Sequence, residues 1–240
     1  AERISSTSAI SNEGIGTAAA DKVLRKSSCV LVKDIPWMKP HSADTVDLIN
    51  TVLDKDEFIL VEGTQGLGLS LDHGEFPFVT SRNTSAAAIA ASIGLGLHNF
   101  DTEIIGVTRT YPIRVTGNSG PFGDDSREIT WQELAEKAKA PGLITERTSV
   151  TQKVRRVATF SQKDFLKACQ INRPTSVALT FADYLDWSVH EKESFSSEAV
   201  ESFMEMMEEI SGVPITIIKT GPKATIDLDW YRGNIMRKIT

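Results

Sequence analysis

Residues 58–97 read FILVEGTQGLGLSLDHGEFPFVTSRNTSAAAIAASIGLGL. The compact apolar run at 58–61 ends in Glu62-Gly63 and predicts a buried strand. Residues 86–97, with Thr84 or Ser85 as N-cap, predict a helix. Between them, Gly63, Gly66 and Gly68 permit tight or left-handed backbone and let main-chain N–H groups approach a ligand. Gln65 sits among them with one acceptor and two donors, which suits a purine or pyrimidine edge or a phosphate. VTSRNT at 79–84 places hydroxyls and backbone donors at the start of the helix, where anions bind readily. A glycine-rich turn with an ordinary cap accounts for the same residues, so this stretch alone leaves both readings open.

Working outward, apolar spacing predicts helices over 13–26, 44–53, 131–139, 165–171 and 197–211. Short apolar runs predict further strands at 104–110, 176–181 and 214–219. Strands alternating with helices imply a single α/β domain over residues 1–240, with a mainly parallel sheet flanked by helices. Ligands of such sheets lie at the carboxyl ends of the strands. The segments to read closely therefore follow the strands.

In ERTSVTQKVRR (146–156), Thr148, Thr151, Lys153, Arg155 and Arg156 gather hydroxyls and cations in one short segment. Guanidinium groups take carboxylates or phosphates two-pronged, so the cluster suits a doubly anionic small ligand. An exposed basic strand with valines half in the core is the plain alternative. A nucleic-acid stripe is a third, weakened by the absence of interleaved aromatics. In ALTFADYLDW (178–187), Asp183 could accept from the N1–H and exocyclic amine of a guanine, or simply cap a helix. In IIKTGPKA (217–224), Gly221-Pro222 could line a ligand or make a turn.

The composition narrows the classes. A net charge of −6 over 240 residues argues against a dedicated nucleic-acid binder. The most apolar run, 85–97, is too short and too rich in Ala and Gly to cross a bilayer, and AERISSTSAI lacks the pattern of a signal peptide. Two cysteines, Cys29 and Cys169, make no disulfide framework, so a cytoplasmic setting is expected. There is no G-x-x-x-x-G-K-[ST] loop, no G-x-G-x-x-G at a strand–helix junction and no G-x-S-x-G elbow. His41, His73, His98 and His190 lack metal-ligand spacing, so no metal site is expected in these residues.

Taken in order, these segments resemble the adenylosuccinate synthetase family. VEGTQGLGLSLDHGEFPFVTSRNT is similar to its EGAQG–DHGTYPYVTS stretch, and STSAISNEGIGTAAADKVLR to its STG–GVGPA–DKVAR stretch. RTYPIRVTGNSGPF resembles SYPTRVGAGPF, TSVTQKVRR the aspartate-binding TTGRRRR, and IIKTGP the ISTGP near the C-terminus. RVTGNSGP, VTQKVRRV and TFADYLD resemble a divergent branch, archaeal and phage-like, that includes phage enzymes making 2-aminoadenine nucleotides. The chain departs from the pattern at Gln152, where the aspartate loop has glycine, at Lys153, where it has arginine, and at Phe181, where the base-recognition segment has lysine.

The resemblance implies a GTP-binding (P-loop NTPase-like) α/β fold and a homodimer. It implies a ligase of purine biosynthesis that joins L-aspartate to C6 of IMP with GTP hydrolysis. The phage-type alternative uses dGMP, aspartate and ATP, and a noncatalytic nucleotide-binding or dimerisation module is a further reading. By position, Thr7, Arg25, Gln65, Thr80 and Lys153 would hold the purine monophosphate, Arg25 from the partner subunit. Thr151, Lys153 and Arg155 would take the aspartate, and Arg155, Asp183, Thr220 and Gly221 the nucleoside triphosphate. The family's GDEGKGK phosphate loop with its catalytic aspartate, and its GHT histidine, are not among the 240 residues. The resemblance places them, the Mg2+ ligands and the first strand upstream of Ala1, so slow or no turnover is expected of these residues alone. No nucleic-acid or membrane partner is expected.

Overall fold

The computed structural model describes residues 14–96, 102–149, 151–194 and 196–228. The chain divides into two compact units, residues 1–102 and 103–240.

The first unit is built from helices and turns. Helix α1 (Ile15–Val23) starts at Gly14, which takes a left-handed φ of 81°. Helix α2 (Thr45–Leu53) is capped by Asp44, whose carboxylate accepts the Val46 N–H at 2.9 Å. Helix α3 (Ala86–Ile93) is capped by Ser85 and stops at Gly94 with φ 78°. Residues 58–61, expected as a buried strand, are not one. Phe58 and Leu60 are 86% and 79% exposed, and no described residue of this unit lies in a β-ladder. An apolar run becomes a strand only when a neighbour takes up its backbone groups, and this unit supplies none.

The second unit carries the sheet. Strands β1 (Ile105–Arg109), β5 (Ser176–Thr180) and β6 (Ile215–Lys219) pair in parallel, and β7 (Thr225–Asp227) closes the edge antiparallel to β6, in the order β1-β5-β6-β7. Val177 and Leu179 of β5 and Ile215 and Ile218 of β6 are fully buried. Against them pack Phe165 and Cys169 of α5 (Gln162–Asn172) and Val200, Met204 and Met207 of α6 (Glu198–Ser211). A three-stranded antiparallel sheet, not expected from the sequence, joins β2 (Ile113–Arg114), β4 (Arg156–Ala158) and β3 (Glu128–Ile129). Its Val157 and Ile129 share a second core with Trp131, Leu134 and Ala135 of α4 (Trp131–Lys137) and with Tyr184. Two- and three-residue strands are too short for periodicity to register. Segments following β5 and β6 are thus held between two cores, at the strand ends where α/β sheets bind ligands.

Candidate functional site

In the first unit, the glycine loop is fastened to the polar segment that follows it. Thr80 donates its backbone N–H to Leu69 O at 2.7 Å, and Leu71 N–H reaches Arg82 O at 3.0 Å. Ser70, fully buried, donates to Asn83 Oδ1 at 3.2 Å, and the Thr84 hydroxyl donates to Gly66 O at 3.0 Å. The Arg82 guanidinium holds Thr64 Oγ1. Gly74 packs so closely that a Cβ would lie 2.6 Å from the carbonyl oxygens of Gly68 and Ser70, which only glycine tolerates. Gln65 is left exposed at φ 70°, the left-handed region uncommon for a residue with a side chain. Thr80 is half-buried beneath it in the chain fold. Arg25 ends α1 at φ 53°, exposed, and its side chain makes no hydrogen bond or ion pair among the described residues. Thr7 lies outside the described residues.

In the second unit, residues 146–155 form a tight hairpin. Arg147 and Val154 bridge antiparallel, Thr148 N–H meets Lys153 O at 2.9 Å, and Arg155 N–H meets Glu146 O at 2.9 Å. Gln152 turns the tip at φ 53°, and its backbone N–H donates to Thr148 O at 3.0 Å. That left-handed backbone is what the family's glycine would adopt without cost. Thr148 and Thr151 share a hydroxyl–hydroxyl bond of 2.6 Å. The cations of this hairpin, Arg147, Lys153 and Arg155, have no carboxylate partner among the described residues. Arg156 does not join them. Its fork closes on Glu128 at 2.8 and 2.6 Å, and its third nitrogen holds Gly120 O at 2.8 Å, so it braces the TGNSGPF loop instead. The Arg156 hydrogen bond holds the Glu128 carboxyl below its ordinary range.

The base of the hairpin is tied to the turn after β5. Arg109, at the carboxyl end of β1, forks onto Glu146, donates to Tyr111 O at 2.7 Å and lies 3.9 Å over the Phe181 ring. Tyr184 donates its hydroxyl to Glu146 at 3.2 Å, and burial together with that carboxylate raises the phenol above its ordinary range. Phe181 adopts φ 61°, with its carbonyl accepting from Thr110 Oγ1 at 2.7 Å. Arg109 and Glu146 escaped the sequence reading, although Arg109 ends a predicted strand, where the strand-end rule points.

The expected base-recognition residues come together around His190 and Glu191. Asp183 is 3% exposed and is not a helix cap; its Oδ2 lies 2.7 Å from His190 Nδ1, and its buried Oδ1 has no hydrogen-bond partner. Burial raises its carboxyl above the ordinary range. The His190 ring stacks on Trp187 at 4.1 Å and 14°. Thr220, fully buried, donates its hydroxyl to Lys192 O at 2.7 Å, while its carbonyl accepts the Glu191 N–H at 3.0 Å. A Cβ on Gly221 would lie 2.9 Å from the Glu191 carboxylate, which in turn accepts the Lys223 N–H. Gly221-Pro222 is therefore both the turn between β6 and β7 and one wall of this cluster.

A mainly parallel sheet with ligand-facing turns at its strand ends defines an α/β nucleotide-binding fold. Residues 31–192 match the adenylosuccinate synthetase family, and the chain belongs to it. Adenylosuccinate synthetase of Methanocaldococcus jannaschii is 40% identical over 220 residues, 90% of this chain and 60% of the relative. That of Thermococcus sibiricus is 38% identical over 92% of this chain and 62% of its own length. The chain thus spans about 60% of the length of these relatives. Among solved structures, succinoaminodeoxyadenylate synthetase of cyanophage S-2L, bound to dGMP and dATP as an energy donor, superposes with a TM-score of 0.71 at 31% identity. The match covers 88% of this chain and 58% of that one. Fully ligated adenylosuccinate synthetase from Plasmodium falciparum shares the fold, with a TM-score of 0.65 at 19% identity over 86% of this chain and 60% of that one. No helix among the described residues is long and apolar enough to cross a membrane.

Proposed function

We propose that the chain serves a purine-nucleotide ligase that joins L-aspartate to C6 of IMP at the expense of a nucleoside triphosphate, GTP in the family pattern. Family membership supports the reaction, and the hairpin is the single observation that supports these residues' part in it: three cations without carboxylate partners beside two hydroxyls. Aspartate carries two carboxylates, and Thr151, Lys153 and Arg155 match them in charge and hydrogen bonding. The γ-phosphoryl group would pass to O6 of the purine. The aspartate amine would then form the C6–N bond as the C6–O6 bond breaks and phosphate leaves, chemistry that rests on positioning and charge stabilisation. Thr7, Gln65 and Thr80 would hold the monophosphate, with Arg25 reaching it from a partner subunit of a homodimer, and Asp183, Thr220 and Gly221 would face the triphosphate's base. One α/β domain over residues 1–240, acting in the cytoplasm, is part of the same proposal.

Mg2+ belongs to this chemistry, yet among the described residues no group of three or more His, Cys, Asp or Glu could hold a metal. These residues do not form its site. A second acceptor, dGMP with ATP as donor, is favoured by the likeness to the cyanophage enzyme, which was bound to dGMP and dATP.

The test is phosphate release in the presence of Mg2+, IMP or dGMP, and GTP or ATP. Release that requires aspartate supports the ligase. Nucleotide binding without aspartate-dependent release favours the noncatalytic module, and release indifferent to aspartate contradicts the proposal.

A further inference from the structure

The Asp183 carboxylate has two oxygens in unequal states. Oδ2 is engaged by His190 Nδ1 at 2.7 Å, whereas Oδ1 is buried and makes no hydrogen bond. A buried acceptor without a donor is costly, and a ligand donor is the natural remedy. The engagement of Oδ2 is built in rather than incidental. His190 is fixed by stacking on Trp187 at 4.1 Å and 14°, and by its backbone N–H on Trp187 O at 3.0 Å. Trp187 is fixed in turn by its N–H on Ala138 O at 2.7 Å. Asp186 closes the same turn, accepting from Ser188 N–H at 2.9 Å and the Ser197 hydroxyl at 2.6 Å. The imidazole therefore cannot leave Asp183 without breaking a stack. Whichever partner carries the shared proton, Oδ2 is occupied.

We propose that His190 sets the base preference of the triphosphate site by leaving Asp183 a single free acceptor, so that the site favours an adenine edge over a guanine edge. The inference rests on the reading of Asp183 as the base-facing residue. Guanine presents two adjacent donors, N1–H and the exocyclic amine, and satisfies both with a carboxylate whose two oxygens are free. Adenine presents one donor, its exocyclic amine, beside the N1 acceptor. With Oδ2 taken, guanine would bury one donor unpaired, and sites built for a fixed donor count reject the mismatched partner. The other charged group near Asp183, Glu191, is a carboxylate that already accepts the Lys223 N–H, and the Tyr184 hydroxyl is donated to Glu146. Neither supplies the second acceptor.

The experiment is calorimetric titration of ATP and of GTP into the wild type and three variants. The wild type should bind ATP more tightly than GTP. His190→Ala, which frees Oδ2, should shift the ratio towards GTP by roughly tenfold, the scale of one hydrogen bond to a charged group. His190→Asn, whose amide nitrogen can occupy the Nδ1 position, should keep the wild-type ratio, a result that a merely structural role for the ring would not give. Asp183→Ala should erase the preference. If Asp183→Ala erases it but His190→Ala leaves the ratio unchanged, or if the wild type prefers GTP, the role of His190 falls and the base site stands. If Asp183→Ala alters neither affinity, or neither nucleotide binds, the base-site reading falls and the inference with it.

Discussion

Two apolar runs in this chain share a local pattern and end differently. Residues 58–61 and strand β5 are each followed by a turn containing a left-handed residue with a side chain, Gln65 at φ 70° and Phe181 at φ 61°. Each turn is pinned by a threonine hydroxyl, Thr84 onto Gly66 O at 3.0 Å and Thr110 onto Phe181 O at 2.7 Å. Yet Val177 and Leu179 of β5 are fully buried between β1 and β6, while Phe58 and Leu60 stand in solvent. Local sequence says what a segment could bury; ladder partners decide whether it does. The turns inherit the difference. Asp183 is buried and engaged, and Gln65 is exposed with its amide free to meet a ligand.

The comparison can be broken at its strongest point first. Leu179→Ala removes a fully buried side chain from the sheet core and should cost about 2–5 kcal/mol in denaturant unfolding. A loss below roughly 1 kcal/mol would mean that β5 is not the core strand described. On the other side, Gln65→Ala should weaken purine monophosphate binding by roughly 1–3 kcal/mol with little change in stability. Calorimetry showing unchanged affinity would remove Gln65 from the site.

The next expectation concerns acid. Arg156 depresses the Glu128 carboxyl from its ordinary value of 4.5, so the pair's contribution is complete above that pH and is lost as pH falls through the lower folded value. Glu128→Gln should flatten that part of the stability curve below about pH 4.5 and leave the neutral limb parallel to the wild type. A variant curve that tracks the wild type through the acid limb would show the pair to be idle. Smallest of all, Phe58→Ala should change unfolding stability by no more than about 0.5 kcal/mol, because the ring is already in water. A larger loss would mean that the run is covered after all.

The same contrast explains what the residues disclosed and what they withheld. Helices over 44–53 and 86–97 announced themselves by their caps, Asp44 and Ser85, because capping is a local interaction. Strands β1, β5 and β6 were readable as apolar runs because each is buried in a ladder. The antiparallel sheet was not, since its strands are short and Arg156 takes its meaning from Glu128, 28 residues away. In the site, the hairpin residues Thr151, Lys153 and Arg155 were found by charge density. Arg109, Glu146 and His190 were missed because their roles depend on pairings across the fold, with Glu146 and with Asp183. His190 was judged only as a metal ligand, and the pattern sought was the wrong one.

The central claim is that the hairpin takes the aspartate. Its most direct test is the aspartate dependence of phosphate release, at saturating IMP and nucleoside triphosphate, compared between the wild type and Arg155→Ala. Loss of a two-pronged, charge-assisted contact should raise the aspartate concentration for half-maximal release by roughly tenfold or more, and leave the concentration needed for IMP nearly unchanged. An unchanged aspartate dependence, or a loss confined to IMP, would contradict the account.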